Sequence, residues 1–353
     1  MNVYKNLSLN GETVDIVSEN GKIAKIGKTD FCGMDFSGCT LKPGLVEIHS
    51  HGALGFDTMD GELSELSVFH AQNGVTAFYP TTMTESYERI KKVCDFDITK
   101  VTGAKILGFH LEGPYINAKY KGAQNEKYIK YPDIDEFNSF KNAKIVTLAP
   151  ECENAMEFIK ECNARVCIGH SDADYDTAVK AIELGANCLT HTFNAMTPLN
   201  HRNPGIVGAA ADKNIYIQVI CDGLHIHPSM IRILYKLFGS DRMILISDSM
   251  RATKLSDGKY EFGGQNVFVK DGVAKTDYGA IAGSTTTLFE CVQRAIKFGI
   301  PENEAYKMAS STPAEYMGIK KGKIQVGYDC DLLILNPDRT IRTVIIEGER
   351  FKN

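Results

Sequence analysis

With 353 residues, 24% of them charged and 43% hydrophobic, the chain has the size and composition of one large globular unit with a smaller attachment, long enough to bury a sizeable core. A formal net charge of -5 offers no electrostatic footprint for nucleic acid or an anionic membrane, and leaves a small polar or anionic substrate open. The opening MNVYKNLSLNGETVDI lacks the basic start and apolar stretch of a signal peptide, and no later run suits a membrane span, so a cytoplasmic location is expected.

In chain order, the first pattern is VDIVSENGKIAKIG, which alternates around an Asn20-Gly21 turn and predicts a pair of strands. Short, β-branched apolar runs follow at 45–49 (LVEIH), 75–80 (VTAFYP), 105–112 (KILGFHLE), 144–150 (KIVTLAP), 165–170 (RVCIGH), 186–191 (ANCLTH), 215–222 (IYIQVICD) and 243–248 (MILISD). Helical periodicity separates them, as in ECENAMEFIKECNA and in SDADYDTAVKAIELGAN, where Ser/Asp cap chemistry opens the segment and Gly185 closes it. Eight strands alternating with helices predict an α/β fold, a (β/α)8 TIM-like barrel. The patch YEFGGQNVFVKDGVAK, with its Asp271-Gly272 turn, predicts a β-hairpin inserted around 258–276, and GKIQVGYDCDLLILNPDRTIRTVIIEGERF is again strand-rich. Residues 1–42 and 322–353 are therefore expected to pair as a small β-sandwich domain beside a catalytic barrel at 43–321.

Ten cysteines lie between Cys32 and Cys330 with no C-x-x-C pair, and read as small buried apolar residues in a reducing compartment. The histidines and acids are more telling, because six of the eight runs terminate in His49, Glu112, His170, His191, Asp222 and Asp248. Barrel enzymes carry their chemistry where strands end, so these residues form one candidate constellation.

His49 and His51 make an H-x-H whose side chains point the same way; alone, the pair reads more simply as hydrogen-bonded loop histidines. Glu112, followed at once by Gly113-Pro114, is a carboxylate at the sharp exit of a buried strand, costly there unless paired or metal-bound. With His170 and His191 it gives a mixed nitrogen and oxygen set that suits zinc, iron or another divalent ion better than calcium or magnesium. Asp248 fits either a helix cap or a base beside a metal-bound water, whose proton it could take and then pass to a leaving amine.

The strings LKPGLVEIHSHG, HLEGPYINAKYKGA, IGHSDADY, LTHTFNAMTPLNHRNPGIVGAA, CDGLHIHP, ISDSM and IAGS occur in that order. Together they resemble the N-acetylglucosamine-6-phosphate deacetylases of the amidohydrolase superfamily over nearly the whole chain. The resemblance implies metal-dependent hydrolysis of an N-acetyl amide on an amino-sugar phosphate, with Glu112, His170 and His191 as metal ligands and Asp248 as acid and base. It places the sugar-phosphate contacts on Ala123, Asn194, Ala195, Arg202, Asp222, Gly223, Leu224, His225 and the Ile281-Ala282-Gly283 turn, with His225 polarising the acetyl carbonyl. Arg202, whose planar fork suits phosphate, implies reach into a neighbouring subunit and hence a homodimer. His49 and His51 extend the expectation to two ions, one held by His49, His51, Glu112 and Asp248, the other by Glu112, His170 and His191. The family usually has histidine where this chain has Gln124, which is expected to donate to a sugar hydroxyl without carrying charge. His227 is expected to cap the helix that follows, and His70 and His110 to be structural. The rival readings are an N-acetylgalactosamine-6-phosphate deacetylase, another amidohydrolase such as a cyclic-amide hydrolase, and an inactive sugar-phosphate-binding protein. Glu112 in place of a modified bridging lysine argues against the cyclic-amide enzymes.

Overall fold

A computed structural model describes residues 1–352 of the chain. Its centre is a parallel barrel of the strands Leu45–Ser50, Val75–Thr82, Phe109–Glu112, Ala143–Leu148, Arg165–Ile168, Cys188–Leu189, Tyr216–Ile220 and Met243–Ile246. Each pairs with the next in chain order. Alternate residues enter different cores, as the two-residue period of a strand requires. Val46, Ile48, Ile145, Cys167, Ile220, Ile244 and Ile246 cluster together inside the barrel, whereas Leu45, Val146, Val166, Ile168, Val219 and Leu245 pack outward with the helices. This two-sided burial is why the runs look almost uniformly apolar in sequence.

The run predicted at 105–112 is interrupted, with Lys105–Ile106 and Phe109–Glu112 on either side of Leu107 and Gly108. Gly108 has φ +146°, and a Cβ there would lie 2.3 Å from Lys144 Cγ, so the backbone turns where only glycine fits. Helices Ala155–Glu161 and Tyr175–Leu184 fall inside the two predicted helical segments; Asp174 caps the second through Thr177 N–H. His227 caps helix Pro228–Arg242 by accepting from Ser229 N–H, as expected. No helix among the described residues is long and apolar enough to cross a membrane.

The eighth barrel strand forms no ladder with the first. In its place, Asp248 N–H donates to His49 O at 3.0 Å, and the buried carboxylate of Glu47 accepts from His49 N–H and from Ser247 N–H, each at 3.0 Å. The seam is thus closed by one backbone bond and one bridging side chain.

Both chain ends meet in one sheet, ordered Glu349–Arg350, Ile341–Ile346, Leu332–Leu335, Thr40–Pro43, Asn2–Leu9, Glu12–Glu19 and Lys22–Ile26, with Met34–Asp35 beside Asn2–Leu9. Tyr4, Leu7, Ile16, Leu41, Leu332 and Ile345 form its buried core. The inserted patch holds three antiparallel strands, Gly258–Phe262, Gln265–Lys270 and Val273–Thr276. All ten cysteines are free; seven are buried as expected, Cys152 and Cys162 are half-buried, and Cys32 is exposed because it lies in the open segment ahead of Met34.

Candidate active site

The sequence-predicted ligands converge at one end of the barrel. His49 sits inside the first strand and Glu112 closes the third, while His170, His191, Asp222 and Asp248 each stand two residues beyond a strand end. Three of them leave the strand in a left-handed conformation, with φ +52° at His170, +25° at His191 and +48° at Asp248. Non-glycine residues held there cost about 1–3 kcal/mol each, and such strain gathers at functional sites.

Four imidazole Nε2 atoms face the Glu112 carboxylate. His191 lies 3.0 Å and His49 and His170 3.3 Å from Oε1, while His51 lies 3.3 Å from Oε2. Asp248 Oδ1 stands 3.3 Å from both His49 and His51 Nε2. Two triads, His49–His51–Glu112 and Glu112–His170–His191, each bring their donor atoms within 4.8 Å of one another.

The outer ring nitrogens decide what this donor set fits. His49 Nδ1 meets Gln218 Oε1 at 2.9 Å, His51 Nδ1 meets Thr81 O at 3.2 Å, and His170 Nδ1 meets Tyr120 O at 2.8 Å. These oxygens only accept, so each ring carries its proton on Nδ1 and turns an Nε2 lone pair inward. The inward nitrogens are 3.2 Å apart for His49 and His51 and 3.1 Å apart for His170 and His191. Lone pairs at that separation repel unless a cation lies between them, so the residues fit a divalent metal. His191 Nδ1 is buried without a partner among the described residues.

The electrostatics lead to the same need for positive charge. Burial alone would lower His51, yet Asp248 and Glu112 push its pKa up to about 10. Burial would raise Glu112, and the charges of His49 and His170 instead hold it well below the ordinary carboxylate range. Asp248 is lowered in the same way, by His49 and His51 against its burial.

Above the cluster opens a cavity of about 380 Å³ lined by Ala123, Gln124, Asn194, Ala195, His225, Ile281 and Gly283 together with His51, Glu112, His170, His191 and Asp248. Ala282 is fully buried behind Ile281, and Leu224 is exposed outside the lining. Arg202 is exposed, outside the lining, and its guanidinium contacts His201. Asp222 is likewise outside it, and its carboxylate is spent on orientation. Oδ1 accepts from Leu224 and His225 N–H at 2.8 and 2.9 Å, and Oδ2 holds His225 Nδ1 at 2.6 Å. That contact raises the His225 pKa against its burial and leaves Nε2 as the free ring nitrogen. Gly223, at φ +78°, allows the turn; a Cβ there would lie 2.8 Å from Phe298 Cζ. Gln124 is engaged at both ends, with Oε1 accepting from Thr84 N–H at 2.7 Å and Nε2 donating to Glu112 Oε2.

Sequence reasoning missed Glu47 and Gln218, both fully buried in barrel strands. Their signal is a polar residue interrupting an otherwise apolar run, in LVEIH and in IYIQVIC. It also missed Lys119 and Tyr120 in the cavity wall. Another groove, of about 440 Å³ beside Arg342 and Arg350, contains no His, Cys, Asp or Glu.

Residues 40–351 match the family described as Amidohydrolase family. The chain belongs to the amidohydrolase family. Among similar amidohydrolases, the N-acetylglucosamine-6-phosphate deacetylase of Vibrio furnissii is 36% identical over 360 residues, covering 96% of this chain and 90% of that protein. The N-acetylgalactosamine-6-phosphate deacetylase of Escherichia coli O157:H7 is 34% identical over 88% of this chain and 87% of its own length. The crystal structure of N-acetylglucosamine-6-phosphate deacetylase from Thermotoga maritima superposes with a TM-score of 0.90 at 34% identity, over 99% of this chain and all of that one. As an amidohydrolase, this chain therefore shares its whole barrel and terminal sheet with deacetylases of amino-sugar phosphates.

Proposed function

We propose that this amidohydrolase removes the N-acetyl group of N-acetylglucosamine 6-phosphate, giving glucosamine 6-phosphate and acetate. One observation carries the reading: a buried carboxylate, Asp248, and an oriented imidazole, His225, line the same cavity beside inward-facing metal donors, in a chain whose full-length relatives bear this activity in their names.

His49, His51, Glu112 and Asp248 would hold one divalent ion and Glu112, His170 and His191 a second, with zinc or iron the best match to the donor set. A bound ion lowers the pKa of water and polarises the amide carbonyl. Asp248, held ionised, takes a proton from the attacking water and returns it to the sugar nitrogen as the C–N bond breaks. His225, fixed through Nδ1 by Asp222, donates from Nε2 to the oxygen on which charge develops. Asn194, Ala195 and the turn at Ile281 and Gly283 form the sugar wall. Arg202, exposed outside its own cavity, suits the phosphate of a substrate held by a second copy, and that supports a homodimer.

The similarity to the Escherichia coli enzyme supports one second reading, N-acetylgalactosamine 6-phosphate as substrate. Acetate release from the glucosamine and galactosamine compounds, compared in one preparation, tests both. The first is expected to be the better substrate by kcat/KM, with activity lost on chelation and restored by divalent metal. A preference for the galactosamine epimer overturns the assignment, and activity indifferent to chelation overturns the metal.

A further inference from the structure

Gln124 stands where the resemblance puts a sugar contact, yet its surroundings assign it other work. It is only 2% exposed. Thr84 N–H, a donor with no alternative role, points at Oε1 from 2.7 Å, so the amide can sit only one way round. Its NH2 group then faces Glu112 Oε2 and donates to it. The loop that carries Gln124 is pinned in turn, because Gln265 Nε2, from the inserted three-stranded sheet, donates to Ala123 O at 2.9 Å and to Gln124 O at 3.2 Å.

The consequence falls on the carboxylate. Glu112 Oε1 faces His49, His170 and His191, whereas Oε2 faces only His51 and Gln124. Without the amide, His51 is the one partner left on Oε2, and a torsion that is intrinsically broad is held almost entirely from the Oε1 side. A carboxylate that presents Oε2 to His51 and Oε1 to the other three histidines has to be stopped at one angle. A neutral amide does this without adding charge to a site already rich in it. A cationic donor in its place would oppose the ion directly, and a carboxylate would repel Glu112.

We propose that Gln124 is a positioning residue for Glu112, setting the affinity of the His49–His51 side for its metal rather than the affinity for the sugar. The proposal rests on the metal-dependent reading of the site. Outer partners of metal ligands typically alter metal affinity by about 10–100-fold.

The test uses Gln124→Met, which keeps the volume and removes both hydrogen bonds, with Gln124→Leu as a second variant should the first fail to fold. Apo wild type and variant are titrated with Zn2+ alone by calorimetry, and KM for the sugar phosphate is then measured at saturating metal. The expected result is that at least one Zn2+ binds at least tenfold more weakly in the variant while KM stays within twofold. Equal Zn2+ affinity overturns the role of Gln124, and a KM raised tenfold at unchanged affinity returns the residue to the sugar. A wild type that takes up no Zn2+ removes the metal reading itself, and the role of Gln124 with it.

Discussion

Replacing Asp248 by Asn separates proton transfer from metal binding and from folding. Asp248 adopts φ +48°, a conformation that Asn tolerates better than most residues, and its backbone N–H bond to His49 O is untouched by the change. Glu112 and four imidazoles remain to hold the ions, so metal content should stay near the wild-type value. The lost group is the carboxylate whose Oδ1 lies 3.3 Å from His49 and His51 Nε2, on the wall of the cavity. General acid–base catalysis is worth about 10²–10⁴ in rate, or about 2.7–5.5 kcal/mol of barrier, and the proposed mechanism asks one residue to serve both as base and as acid. The expected kcat for acetate release therefore falls at least 10²-fold, with metal analysis and thermal unfolding of the same sample as controls. A kcat within threefold of wild type at normal metal content would remove Asp248 from the proton path, and loss of metal at an unchanged fold would make it chiefly a ligand.

Asp222→Asn should leave the cavity intact but weaken the hold on His225 Nδ1, lowering kcat by about tenfold or more through loss of imidazolium character; unchanged kinetics would detach the pair from catalysis. Glu47→Ala leaves the His49 and Ser247 N–H groups buried and unpaired across the barrel seam, a cost of about 2–6 kcal/mol at 1–3 per orphaned group, read as a lower urea midpoint. Burial holds the His70 pKa down to about 3 against an ordinary 6.5, so the folded state resists a proton that the unfolded chain accepts. That stability is complete above pH 6.5 and lost as pH falls toward 3, at about 1.4 kcal/mol per pH unit. His70→Phe, fitting beside Phe78, should therefore flatten the fall between pH 6.5 and 5 by about 2 kcal/mol, and a parallel slope would contradict it.

The barrel is legible because parallel strands buried on two faces must be apolar throughout, and because the residues that break that rule at strand ends, from His49 to Asp248, are the ones that converge at one end of the barrel. The spacing of the ligands was legible for the same reason. Their orientation was not. Gln218 and Glu47 lie within apolar strands, and only the folded barrel shows that one fixes the His49 tautomer and the other bridges a seam without a ladder. The resemblance implies a sugar contact at Asp222, and CDGLH carries no record that its carboxylate closes back on His225. The left-handed φ values at His170, His191 and Asp248 leave only a weak signal, since none of these residues is glycine, although His and Asp enter that region more readily than most side chains.

The terminal sheet has a consequence for synthesis. Strand Thr40–Pro43 lies between Asn2–Leu9, made just before it, and Leu332–Leu335, made only after the entire barrel. At about 5–20 residues per second, its outer edge therefore waits unpaired on the ribosome for tens of seconds while the catalytic strands emerge. The nascent chain carries an open strand edge through most of its translation, which makes this edge the place where a holding chaperone, or a second nascent copy, would first find it.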